Sequence, residues 1–99
     1  MWAETALYEK ALKVDPSQVA AAVNLGNAYI KRGQMRDAIR LWRTALGRSP
    51  GLETVRLSLA VALYRSGDKP GAEDALIQLL ALNPGNAVAR KLLNEVRAK

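Results

Sequence analysis

The 99-residue chain contains no cysteine, no histidine and no phenylalanine. Without cysteine there can be no disulfide and no thiolate nucleophile, and without cysteine and histidine the usual zinc ligands are missing. No histidine is present to act as a general base, and no glycine-rich phosphate loop occurs. Five of the nine acidic residues fall at predicted helix starts, where capping and the helix dipole explain them: Asp37, Glu53, Asp68, Glu73 and Asp74. We therefore expect no enzymatic activity, no metal site and no cofactor.

Long apolar runs are missing as well. None approaches the roughly 20 residues that a membrane-spanning helix needs. The first ten residues lack the basic region and the apolar region of a signal peptide. We expect a soluble, cytoplasmic protein without a membrane partner, made of one domain over residues 1–99.

Prolines and glycines are few, but several of them recur at a fixed spacing. Pro16, Pro50 and Pro84 are 34 residues apart, and so are Gly33 and Gly67. Between them, apolar residues recur at helical spacing. A glycine supplies the left-handed residue that ends a helix, and a proline fits the first helical turn. The pattern predicts six helices, over 2–14, 17–32, 35–48, 52–66, 69–82 and 86–98. The residues before the prolines are predicted helix caps: Asp15, Ser49 and Asn83.

The repeated segments share a spaced set of small and bulky residues. Segment 17–50 contains Ala22-x2-Leu25-Gly26-x2-Tyr29, then Ala38-x3-Trp42, Ala45 and Pro50. Segment 51–84 is looser, with Arg56-x2-Leu59-Ala60-x2-Leu63, Ala72-x3-Leu76, Leu79 and Pro84. This pattern resembles the tetratricopeptide repeat, a unit that must stack on its neighbours to bury its apolar face.

The resemblance implies an all-α fold, a right-handed superhelix of stacked antiparallel helix pairs. Residues 2–16 would be the second helix of a partial repeat, 17–50 and 51–84 full repeats, and 85–99 a capping helix. Small residues are expected where paired helices approach closely: Ala22, Gly26, Ala38, Ala45, Ala60 and Ala72. Larger residues are expected to fill the layers between helices: Leu25, Tyr29, Trp42, Leu59, Leu63 and Leu76.

The resemblance also implies a concave groove formed by the first helix of each pair. The groove candidates are Val23, Asn24, Asn27, Lys31, Thr54, Leu57, Ser58, Val61, Arg65, Val88 and Leu92, with Ala20, Lys91 and Glu95 beside them. Asn is a poor residue for a helix interior. The amides of Asn24 and Asn27 would therefore pair with a peptide backbone, or else be simply solvated. The leading hypothesis is a protein–protein interaction module that binds a peptide or amphipathic helix and serves as a scaffold in a larger protein.

Some members of the family hold acidic chaperone tails through a clamp of lysine, asparagine and arginine. The matching positions here are Val23, Asn27, Ser58, Val88 and Leu92, and only Asn27 keeps the residue type. A carboxylate that faced the three apolar side chains would lose water without gaining a charged donor. We therefore expect an apolar or amphipathic partner rather than an acidic chaperone tail.

Positive charge is concentrated in the middle of the chain. The net charge is +6, and residues 31–65 carry eight basic residues against two acidic ones. Four arginines recur at three- and four-residue steps, which predicts a basic ridge on the outer side of the third helix: Arg32, Arg36, Arg40 and Arg43. Such a ridge would meet an acidic partner or nucleic acid, or it would be only a solvated convex face. Nucleic acid is disfavoured because no exposed aromatic residues are expected to interleave with the arginines.

Self-association is a further alternative. The chain begins in the second half of a repeat, so the Trp2/Leu7 face of the first helix would lack its partner. Copies would then stack end to end, and this face would meet the apolar side of the last helix, which includes Leu92, Leu93 and Val96. An excised fragment or a plain capping helix would account for the same pattern.

Overall fold

The computed structural model describes residues 19–98, which form five α-helices. They are α1 (Val19–Lys31), α2 (Met35–Arg48), α3 (Glu53–Arg65), α4 (Lys69–Leu82) and α5 (Ala87–Arg97). Each lies within two residues of its predicted bounds. The predicted helix over 2–14, its Asp15 cap and the Trp2/Leu7 face lie outside the described residues.

Short turns of alternating length connect the helices. Three residues separate α1 from α2 and α3 from α4, and four residues separate α2 from α3 and α4 from α5. Helices joined by so few residues must run antiparallel if they are to pack on each other. The chain is therefore a series of antiparallel helix pairs, with α1/α2 and α3/α4 as successive pairs.

Gly33 and Gly67 end the first helix of each pair. Their φ angles are 78° and 91°, a region that a residue with a Cβ rarely adopts. In the first turn the Gln34 amide donates to the Tyr29 carbonyl at 2.8 Å, and the equivalent bond in the second turn is 2.9 Å. This is the Schellman arrangement of helix ends, and it confirms the predicted glycine stops.

Side-chain caps begin two of the helices. The Asp68 carboxylate accepts a hydrogen bond from the Gly71 amide at 2.9 Å, and Pro70 lies in the first turn of α4. Asn86 caps α5 in the same way, accepting from the Ala89 amide at 3.0 Å. These bonds satisfy amides that have no partner inside the helix.

The prediction that Ser49 and Asn83 are helix caps is confirmed, and both of them cap the end of a helix. Both residues follow a helix as its C-cap, because the four-residue turn places the next helix start further along the chain. The proline after each of them lies in that turn. Helix α3 instead begins after Leu52, whose side chain forms no capping bond.

The helix pairs stack into an elongated slab of 40 × 26 × 17 Å. Each helix packs on its neighbours in sequence, and α1 also contacts α3 directly, whereas α2 and α4 barely meet. Because the first helices of the two pairs lie closer together than the second helices, the slab curves toward α1 and α3.

A continuous hydrophobic core runs between the helices. All of the predicted small contact residues are buried, and four of them have no exposed surface: Ala22, Ala38, Ala60 and Ala72. The six larger residues predicted to fill the layers are buried as well. The stacking of antiparallel pairs is thus confirmed down to the residues that form its contacts.

Candidate functional site

The position of α1 is fixed by close contact between Gly26 and Trp42 of α2. A Cβ placed on Gly26 would lie 2.2 Å from Cζ2 of the Trp42 ring, so only glycine allows this approach. The indole Nε1 of Trp42 also donates to the Ala22 carbonyl at 3.0 Å. Packing and hydrogen bonding together hold α1 in one orientation, which sets the direction of its outward-facing residues.

Arg56, which sequence reasoning did not select, links α3 to the turn before it and to α4. Its Nη2 donates to the Pro50 carbonyl at 2.9 Å, and its Nη1 donates to the Gln78 side chain on α4. Arg90 repeats the first contact one period later by donating to the Pro84 carbonyl. The recurrence of arginine six residues after a proline was the signal in the sequence that could have revealed this contact.

The groove candidates lie on α1, α3 and α5, and none of them is fully buried. Those left exposed are Asn24, Asn27, Lys31, Thr54, Arg65 and Val88; those half-buried are Val23, Leu57, Ser58, Val61 and Leu92. The half-buried Val23, Leu57 and Leu92 pack against the core while part of each side chain stays at the surface. Since α1 packs on α3, two of the three candidate sets lie on contacting helices. Their role in binding stays a prediction.

The predicted basic ridge is divided between two elements. Arg36, Arg40 and Arg43 lie on α2 and are exposed, but Arg32 lies in the turn after α1 and not on α2. Arg40 forms an ion pair with Asp37 on its own helix, at 2.6 Å. The helical spacing of the three α2 arginines is confirmed, and the fourth member belongs elsewhere because the glycine turn separates it from the helix.

The α2 arginines form one wall of an open cleft of about 610 Å³. The opposite wall comes from the end of α3 and from the turn into α4. This basic cleft is lined by Arg36, Ile39, Arg40, Arg43, Thr44, Leu63, Ser66 and Asp68. Because α2 and α4 barely meet, the space between them is left open. The ridge therefore faces a concavity and is not a uniformly convex face.

The surface proposed for end-to-end stacking is largely occupied within the chain. Leu93 and Val96 belong to the core, and only Leu92 of the named α5 residues is partly exposed. Arg97 of α5 pairs with Glu73 of α4 at 2.9 Å. Leu93 and Val96 are therefore not available to another copy, and end-to-end stacking stays a prediction.

Residues 19–98 contain no group of three or more acidic, cysteine or histidine residues able to hold a metal ion. None of the five helices is both long enough and apolar enough to cross a bilayer.

A sequence model of the tetratricopeptide repeat matches residues 3–53 and again residues 23–87. The chain belongs to the tetratricopeptide-repeat family. This tetratricopeptide-repeat chain also resembles two crystal structures of MamA. Each of them is 30% identical to it, and each match covers 95% of the present chain, with TM-scores of 0.77 and 0.75. A MamA mutant is 26% identical, with a TM-score of 0.73.

The tetratricopeptide-repeat chain spans about half the length of these MamA structures, covering 55%, 51% and 52% of them. No match was found among curated protein sequences. The family match and the likeness to MamA confirm the predicted superhelical fold. They also support the general class of function, since the tetratricopeptide-repeat fold is a scaffold for protein–protein interaction.

Proposed function

We propose that the chain is a protein–protein interaction module that binds an amphipathic helix or peptide on the curved side formed by α1, α3 and α5. The observation that carries this proposal is the mixed character of that side. Half-buried apolar side chains, Val23, Leu57 and Leu92, alternate there with exposed amides and hydroxyls. An amphipathic segment would cover the apolar groups and leave polar groups at the rim.

The polar residues on this side favour a peptide backbone over a carboxylate. Asn24 and Asn27 are exposed near the middle of α1, where each amide can both donate and accept a hydrogen bond. None of the positions that match the chaperone-tail clamp holds a lysine or an arginine. At one of them the side chain is that of Val88, which is 61% exposed. An acidic tail would therefore find no charged donor at the positions that match the clamp.

Titration with two synthetic peptides tests the proposal: an amphipathic helical peptide and an acidic chaperone-tail peptide. We expect the amphipathic peptide to bind, and Leu57→Ser to weaken it about tenfold through loss of one buried apolar contact. The matched control is Ile77→Ser, which removes an exposed apolar residue of α4 (45% exposed) outside the groove. This control variant should bind as the parent does.

Two outcomes would contradict the groove assignment. One is equal loss of affinity in the Leu57 and Ile77 variants. The other is tighter binding of the acidic tail, with a dependence on Asn27 and Leu57. Thermal melting of each variant, followed by circular dichroism, separates lost binding from lost folding.

A further inference from the structure

The basic cleft is a surface distinct from the groove. Its lining residues come from α2, the end of α3 and the turn that follows, and none of the groove candidates is among them. Three arginines line the α2 wall, while Ile39 and the buried Leu63 supply apolar lining. The cleft thus combines positive charge with a small apolar area.

The positive charge of the cleft is only partly neutralised from within. Among residues 19–98, neither Arg36 nor Arg43 takes part in an ion pair. Arg40 is paired with Asp37, but its side chain is 77% exposed, and pairs so open to water hold weakly. Like charges at three- and four-residue spacing on a helix repel each other, so an anionic partner would relieve this repulsion.

The one carboxylate in the lining is already engaged. Asp68 accepts the Gly71 amide as the N-cap of α4, and it lies on the wall opposite the arginines. Its hydrogen bond and the positive end of the α4 dipole hold it in place. The two walls therefore differ in charge, and a ligand must place its negative groups toward α2.

We propose that the basic cleft binds an acidic segment of a partner protein, one in which carboxylates flank an apolar side chain. Arginine matches a carboxylate with two parallel hydrogen bonds, and Arg36 and Arg43 are placed to form them. The apolar side chain of the segment would lie against Ile39 and Leu63. A volume of about 610 Å³ accommodates a few side chains, not a folded domain.

Nucleic acid fits the same cleft less well. The lining contains no aromatic side chain on which a base could stack. A phosphate backbone also carries its charges at every unit, so some of them would approach Asp68. A peptide spaces its carboxylates and can avoid that contact.

Fluorescence anisotropy tests the proposal with a labelled peptide of aspartates and glutamates around one leucine. We expect Arg36→Ser/Arg43→Ser to weaken binding about tenfold, and replacement of the peptide's leucine by serine to weaken it as well. The matched control, Arg65→Ser/Lys91→Ser, removes the same charge from α3 and α5 and should leave the affinity nearly unchanged. Added salt should weaken the interaction.

Four results would overturn the proposal. The first is that the peptide does not bind the parent chain. The second is an equal loss of peptide affinity in the two double variants, and the third is a loss of affinity in the control variant alone. The fourth is that an RNA or DNA oligonucleotide binds more tightly than the peptide at the same ionic strength and loses that binding in the Arg36→Ser/Arg43→Ser variant. Equal loss would mean unspecific charge attraction, and loss in the control alone would place the peptide in the groove. Melting curves of the variants verify that each one is folded.

Discussion

The two complete helix pairs have the same period but different contacts at their centres. In the α1/α2 pair, a glycine at position 26 faces the Trp42 ring. In the α3/α4 pair, the corresponding positions hold Ala60 and Leu76, and both are buried. The pair that contains the larger side chain, Trp42, has a glycine rather than an alanine on the facing helix. Volume is therefore conserved across the contact rather than at each position.

Polar contacts differ between the pairs as well. The Trp42 indole donates to the carbonyl of Ala22, a residue with no bulk to obstruct it. One period later, Arg56 replaces that alanine and reaches the Pro50 carbonyl and the α4 side chain of Gln78. The first pair is thus held by an aromatic ring on α2, and the second by a guanidinium on α3.

Truncation of the central side chains should give the largest effects. Trp42→Ala removes a fully buried ring together with its hydrogen bond to the Ala22 carbonyl, so we expect a loss of about 3–5 kcal/mol in unfolding free energy. Leu76→Ala should cost less, because a smaller volume is removed and no hydrogen bond is lost. Urea denaturation of both variants measures the ranking. A smaller loss for Trp42→Ala than for Leu76→Ala would show that the ring does not hold the first pair.

Exchange of the glycine contact should give an intermediate effect. Gly26→Ala places a methyl group against the ring, and we expect it to cost about 1–3 kcal/mol in the parent chain. In a Trp42→Leu background, which imitates the second pair, the same change should be neutral or stabilising, because alanine is the better helix former. The double-mutant cycle measures this coupling.

Gly47 provides the control for the glycine experiment. It also lies in a helix, but a Cβ there would meet nothing within 4 Å. Gly47→Ala should therefore stabilise the chain by about 0.5–1 kcal/mol. If Gly26→Ala behaved like Gly47→Ala in the parent, the close contact would have no energetic consequence.

Removal of the arginine contacts should give the smallest effects. Arg56 is half-buried and bonds to two groups, so Arg56→Ala should cost about 1–2 kcal/mol. Arg90 is exposed and, within residues 19–98, its side chain bonds to the Pro84 carbonyl alone, so Arg90→Ala should cost less. Thermal melts of the two variants compare them, and the reverse order would mean that the bond to Gln78 contributes little.

The period and the small residues made most of the fold predictable. Regular spacing of prolines and glycines indicates where each helix ends, and a helical glycine such as Gly26 indicates a close approach. Cap positions were predictable only in part, because Ser49 and Asn83 could be recognised as caps, while the length of the turn decides which helix each of them caps. Turn geometry depends on how the flanking helices pack, which local sequence does not encode alone.

The positions of the candidate site residues were predictable only where those residues lie on the same helix. The spacing of Arg36, Arg40 and Arg43 placed them on one face without any tertiary information. The opposite wall of the basic cleft could not be foreseen, because Ser66 and Asp68 come beside those arginines only when α3 packs on α2. The burial of Val96 was missed for the same reason, since it depends on how α5 meets the rest of the stack.

The buried indole of Trp42 also makes the first helix pair optically distinct from the second. Tryptophan emission depends on the polarity around the ring, and this ring lies at the interface between α1 and α2. With the other tryptophan, Trp2, replaced by phenylalanine, the emission would follow the opening of that interface alone, while circular dichroism would follow all the helices. Stacked repeats need not open together, so the two signals recorded on one sample can reveal from which end the array begins to fray.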